Sequence, residues 1–512
     1  MPTGVDRRPG STAEVAGGGA HSDDRVRPRL VRDVWWVAGG LVALELAVSA
    51  RYGFHRDELY FIVAGRHAAF GYVDQPPLAP LVARLATSAF GTDPTAVRIV
   101  PALAGGVVVV GAGLTARTLG GGRFAQVLAA VATACAPVVL VSAHLAGTTV
   151  FDLAAWTFTI WFVLKAVVDG HERCWLAAGA VAGLGLENKD LILLLAAALA
   201  VGLLATPARA VLATRWPWTG AVVALVLWTP NLAWQLANGV PGLAMARSLR
   251  VEHSGSGDYL GFLPGQVILV GFLAFPIVVF GIRHLAARRE LHFVLVTAGV
   301  VVAYVFAVIP GRVYYTAGVL PVLFAAGGCR IGRPGALRVR RRLWLAAPLV
   351  GAVLSVVLVL PVLPLSTFAR MSFLHKTSYD LGETVGWPQL TRQVADVYDG
   401  LPGKQRREAS IFTANYGEAG ALAVYGPAFG LPQPLSGHNT YWLWGPGDAP
   451  DRVVVAVGSV DQLRPHFAHC RHDATIHSPD NVDNDENGTG IWTCTGPRGV
   501  WSSFWNGLRH YG

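Results

Sequence analysis

Charge is scarce in this sequence. Only 14% of its 512 residues are Asp, Glu, Lys or Arg, while 53% are hydrophobic. Soluble domains carry roughly 25% charged residues, and the mean hydropathy here is +0.44, so most of the chain is expected in lipid. Lysine is rarer still, with Lys165, Lys189, Lys376 and Lys404 the only four among 41 basic residues. That bias, with abundant Ala, Val and Gly, fits a GC-rich bacterial genome. The formal net charge of +9 comes without the interleaved basic and aromatic residues of a nucleic-acid module, so no nucleic-acid partner is expected. No His, Cys or carboxylate spacing makes a recognisable metal site, and no cofactor is expected. Cysteines number five. Cys135, Cys174 and Cys329 lie in or beside apolar runs, whereas Cys470 and Cys494 fall in the polar C-terminal region and could pair if it is extracytoplasmic. Residues 1–30 lack the apolar core of a secretory signal, so 1–32 reads as a disordered cytoplasmic tail. Internal repeats and matched pairs of broken helices are also missing, which weakens the alternative of a transporter or lipid flippase.

Apolar runs dominate the rest. A spanning helix needs about 20 mostly apolar residues. Candidates run 33–50, 97–116, 124–142, 149–168, 175–188, 190–206, 218–235, 265–283, 291–309, 314–328 and 343–363. The expectation is a polytopic α-helical membrane protein with eleven spans. Basic residues collect on the cytoplasmic side. With the N-terminus inside, six fall in 1–32, six in 330–342 and three in 283–289. This orientation places residues 365–512 outside the membrane. There, an amphipathic helix near 387–400, strands at 410–414 and 453–457, and a helix from Glu418 predict a small extracytoplasmic α/β domain.

The membrane region, 33–364, has one long external loop, 51–96. It mixes charged and apolar residues, as expected of short helices lying in the interface, with Pro76 and Pro77 separating two of them. Asp57, Glu58 and Asp74 would then sit at headgroup height. On the same face the topology places Asp152, the run Glu187–Asn188–Lys189–Asp190, and Arg312 with Tyr314 and Tyr315. Ionisable groups at such positions are costly and tend to be functional. A membrane-facing transferase needs a carboxylate to deprotonate an acceptor hydroxyl and cations to stabilise a departing phosphate. Both are available here.

Asp57, Glu58, Leu59 and Tyr60, followed by Asp74, Gln75, Pro76 and Pro77, resemble the first external loop of glycosyltransferase family 39, which includes protein O-mannosyltransferases and the lipid A aminoarabinose transferase. Gly311, Arg312, Val313, Tyr314 and Tyr315 before Pro321 resemble a later segment of that family. Residues 417–425 with Ser436, Gly437, His438, Asn439, Tyr441 and Trp442 resemble its bacterial C-terminal domains. The resemblance implies a GT-C-like membrane fold, a polyprenyl-phosphate sugar donor, a hydroxyl acceptor in protein, lipid or wall glycan, and inversion at the anomeric carbon. It implies Asp57 as the base with Glu58 beside it. Asp74, Asp152, Lys189, Arg312 and Tyr315 would bind donor or acceptor. Two cations of the aminoarabinose subgroup are replaced here, by Tyr60 and Gln75. Membrane lipid is the remaining expected partner.

Overall fold

The computed structural model describes residues 29–333, 338–371, 373–374 and 378–511. The expected tail therefore lies, apart from residues 29–32, outside the described residues.

Helix α1 (Arg32–Val48) is followed by two short helices, α2 (Arg56–Arg66) and α3 (Leu78–Phe90), which together occupy the loop 51–96. Pro77 immediately precedes α3, as its lack of an N–H favours at a helix start. Then come α4 (Pro94–Thr118), α5 (Arg123–Ala134), α6 (Pro137–His144), α7 (Thr149–Val168), α8 (Cys174–Leu186), α9 (Ile192–Leu204) and α10 (Trp216–Ala237). The membrane region closes with α11 (Pro241–Glu252), α12 (Ser256–Val270), α13 (Phe275–Ala286), α14 (His292–Val308), α15 (Leu320–Ile331) and α16 (Arg338–Val359).

Five of the described helices are long and apolar enough to cross a membrane: α4, α7, α10, α14 with its preceding turn, and the Val339–Val359 part of α16. Counting three sharply bent pairs as one crossing each gives up to eight, against the eleven expected. The difference has local causes. The expected span 124–142 bends by 60° between α5 and α6, where Pro137 cannot continue the hydrogen-bond ladder. The expected span 265–283 bends by 97° between α12 and α13, at Gly271 with φ 87°. Helices α1, α8 and α15 coincide with expected spans but have 17, 13 and 12 residues, short of 30 Å at 1.5 Å per residue.

The C-terminal region is a mixed five-stranded sheet flanked by helices. Strands β1 (Ala409–Thr413), β2 (Pro434–Ser436), β3 (Val453–Val457), β4 (Phe467–Thr475) and β5 (Gly490–Pro497) lie in the order β2-β1-β3-β5-β4. Strand β1 is parallel to β2 and β3, while β5 is antiparallel to β3 and β4. All five residues of β1 and of β3 are buried, as apolar strands covered on both faces must be. One face packs on the helices Trp387–Asp399 and Tyr416–Tyr425, the other on Trp501, Phe504 and Trp505. Cys470 and Cys494, opposite each other on β4 and β5, are joined by a disulfide bond.

Phe54, Leu59 and Ile62 from the first loop belong to the same apolar cluster as Trp387, Ile411, Leu422 and Val455 of this region. Loop and sheet region thus share a core. Gly420 permits the approach, because a Cβ there would stand 2.9 Å from the Leu59 side chain and 3.2 Å from the Tyr60 nitrogen.

Candidate active site

The start of α2 aims two adjacent carboxylates in opposite directions. His55 caps the helix, with its Nδ1 accepting from the Asp57 N–H (3.2 Å) and its own N–H donating to Glu58 Oε2 (2.8 Å). Glu58 therefore turns inward. It is fully buried and takes Nε–H and Nη–H bonds from Arg98 on α4 at 2.9 and 2.7 Å, plus the Ala146 N–H at 2.9 Å. Burial alone would raise its pKa, but the charge and hydrogen bonds of Arg98 outweigh this and hold it below the ordinary carboxylate value. Glu58, expected beside Asp57 in the site, is instead a tie between α2 and α4 and lies away from the cavity described next.

Asp57 turns outward, with its side chain 44% exposed, at the positive end of α2. It lines a cavity of about 1270 Å³ together with Asp74, Lys189, Arg312, Tyr315 and Tyr416. The Tyr416 hydroxyl donates to Asp57 Oδ1 at 2.8 Å. Burial, then the charge of Asp57, push that phenol well above its ordinary 10.0, so it stays protonated and donates. Arg56 lies 5.1 Å from the Tyr416 ring centre and pairs with Asp485 and Glu383 at 2.7 and 3.4 Å. The sheet region is thereby fastened to the first turn of α2.

Asp74 sits deeper. Tyr60 donates to its Oδ1 at 2.7 Å, and Thr440 Oγ1 lies 2.8 Å from the same phenol oxygen. Burial pushes Asp74 up to about 6, with the Tyr60 hydrogen bond opposing and the Asp57 charge adding. Tyr60 and Gln75 are both buried, Tyr60 as a linker between Asp74 and Thr440.

Positive charge gathers elsewhere on the same wall. Lys189 Nζ lies 5.0 and 4.8 Å from the ring centres of Tyr314 and Tyr315. The turn that carries it is pinned by Asn188 Nδ2 donating to the Thr148 carbonyl (2.8 Å) and by the Leu78 N–H donating to the Glu187 carbonyl (2.8 Å). Arg312 reaches the Tyr314 hydroxyl at 3.5 Å, and its Nε is buried without a hydrogen-bond partner. Asp152 is 5% exposed, accepts from Trp156 Nε1 at 3.1 Å and is not among the residues lining the cavity, though it feels the charge of Lys189. Among the described residues no group of three or more His, Cys, Asp and Glu could hold a metal ion.

The sequence therefore supplied Asp57, Asp74, Lys189, Arg312 and Tyr315 as cavity residues, and missed Tyr416 and Arg98. Tyr416 stands one residue before a segment already singled out for its resemblance. Arg98 lies inside a run read as a span, where a lone Arg signals a buried partner.

Residues 74–234 match the family model described as dolichyl-phosphate-mannose-protein mannosyltransferase. Over this segment the chain is similar to that family. No curated protein matches the sequence. The fold of ArnT from Cupriavidus metallidurans, crystallised with undecaprenyl phosphate, is similar at 16% identity and a TM-score of 0.57, covering 91% of this chain and 99% of that one. The archaeal oligosaccharyltransferase AglB from Archaeoglobus fulgidus, in complex with an inhibitory peptide and a dolichol-phosphate, is similar at 12% identity and TM-score 0.50, over 84% and 70%. Arabinofuranosyltransferase AftD from Mycobacteria is similar at 13% identity and TM-score 0.50, over 91% of this chain and 40% of AftD. The matched segment begins at Asp74 on the cavity wall and runs through Lys189 into α10. The GT-C-like polytopic fold expected from the resemblance is the fold found.

Proposed function

We propose that this protein is a membrane glycosyltransferase that moves a sugar from a polyprenyl-phosphate carrier to a hydroxyl acceptor, with inversion, at the outer face of the membrane. The observation that carries this reading is one cavity holding an exposed carboxylate, Asp57, and a Lys189–Arg312 cation cluster. The acceptor O–H gives its proton to Asp57, and its oxygen attacks the anomeric carbon. The bond from that carbon to the phosphate oxygen breaks, and the lipid phosphate leaves with the electron pair, held by Lys189 and Arg312. A monophosphate leaving group can be stabilised by Arg and Lys alone. The undecaprenyl phosphate and dolichol-phosphate in the complexes of ArnT and AglB support a lipid of that class as donor. The disulfide Cys470–Cys494 supports an oxidising, extracytoplasmic setting for the sheet region.

Removing one cation tests the donor half. Lys189→Ala should lower kcat/KM for a polyprenyl-phosphate sugar by about 10²-fold, as the loss of a single charge-stabilising group does. Steady-state transfer assays with varied donor measure it, and an unchanged kcat/KM would remove Lys189 from the phosphate site.

A further inference from the structure

The segment 437–439 joins strand β2 to the helix Thr440–Trp444 and forms part of the cavity wall through His438 and Asn439. Asn439 adopts φ 49° and ψ −128°, a conformation that costs of order 1–3 kcal/mol for a residue with a side chain. Such a backbone persists only where its surroundings over-determine it. Here the Asn439 N–H donates to the His510 carbonyl (3.1 Å), and the His510 N–H donates to the Gly437 carbonyl (3.1 Å). The His438 and His510 rings stack at 4.5 Å, and Gly437 lies so close to the Leu508 carbonyl that any side chain would collide with it. The clamp holds Asn439 2% exposed, with its side-chain Oδ1 buried and without a hydrogen-bond partner.

A strained residue with an unsatisfied buried acceptor is expensive twice over. Glycine would adopt the backbone without strain, and the turn is held by main-chain bonds. What the arrangement supplies is a side-chain oxygen without a hydrogen-bond partner, on a residue of the wall that also carries Asp57. His438 bridges the two: its ring is 5.0 Å from that of Tyr416, its Nδ1 accepts from the Tyr416 N–H (3.3 Å), and Tyr416 donates to Asp57.

Resting on the transferase reading above, we propose that Asn439 is an acceptor-binding residue, and that the acceptor is a saccharide bringing two neighbouring hydroxyls to this wall. One hydroxyl gives its proton to Asp57 and attacks, while a neighbour donates to Asn439 Oδ1. A Ser or Thr side chain carries a single hydroxyl and would leave the Asn439 oxygen unsatisfied.

The test uses purified full-length protein in detergent with radiolabelled polyprenyl-phosphate sugars as donors. The acceptor probes are a panel of octyl glycosides and, separately, a Ser/Thr-containing peptide. Asn439→Gly should raise KM for the octyl glycoside about tenfold, the effect of one lost hydrogen bond, leave the donor KM unchanged, and not lower the thermal midpoint. An unchanged glycoside KM in an active enzyme overturns the Asn439 assignment while leaving the transferase reading intact. Transfer to the peptide with none to any glycoside overturns the saccharide class. Wild-type protein that transfers to neither probe overturns both.

Discussion

Asp74 shows how a buried carboxylate couples the site to pH. Its pKa, pushed up to about 6 by burial, exceeds that of an unfolded Asp near 3.9. Between those values the folded chain keeps the proton and the unfolded chain releases it, so its contribution to stability falls as pH rises from about 4 to about 6, then levels off. Asp74→Asn keeps an oxygen for Tyr60 and removes the titration. Thermal midpoints from pH 4 to 7 should fall less steeply for the variant than for wild type; parallel curves would contradict the burial of an ionisable Asp74. At this scale much was legible in the sequence, because a charged residue in an apolar chain advertises itself. The sequence could not say which of two adjacent carboxylates faces substrate. Asp57 and Glu58 differ by one helical step, and the capping bond from His55 together with Arg98, 40 residues away, decides that Glu58 turns inward.

Helix α2 is the element on which the site depends, and two anchors hold it. On one side Glu58 pairs with Arg98 of α4, both side chains at most 1% exposed; on the other, Arg56, Tyr416 and the close contact at Gly420 fix the sheet region to it. Breaking a buried ion pair from one end leaves an uncompensated charge, at a cost of about 3–5 kcal/mol. Arg98→Met should therefore lower the thermal midpoint markedly, and combining it with Glu58→Gln should recover part of the loss. Equal midpoints for the single and double variants would show that the pair does not clamp α2. The elements themselves were largely readable. The two short helices of 51–96, the helix near 387–400, and strands β1 and β3 stand within a residue or two of their expected positions where bounds were given. Hydropathy could not reveal the bends at Pro137 and Gly271, because a window average does not register chain direction.

The whole molecule is a helical membrane body whose first loop and C-terminal sheet region build one cavity wall together. Its orientation rests on the crowding of Arg in connections such as 283–289. On intact cells, Ser459→Cys, exposed in the sheet region, should react with a membrane-impermeant maleimide, whereas Ala287→Cys, exposed after α13, should react only after permeabilisation. The reverse pattern would invert the topology. Sequence alone divided body from sheet region but gave no sign that they share a core, since contacts such as Leu59 with Gly420 join residues hundreds of positions apart. The central claim is that Asp57 removes the proton from an acceptor hydroxyl, and sugar transfer by purified wild-type and Asp57→Asn protein tests it most directly, using radiolabelled polyprenyl-phosphate sugars with membrane and cell-wall extract as acceptor. Wild type should label the extract, and Asp57→Asn, with an unchanged thermal midpoint, should not. Equal labelling by the two proteins would contradict the assignment of the base.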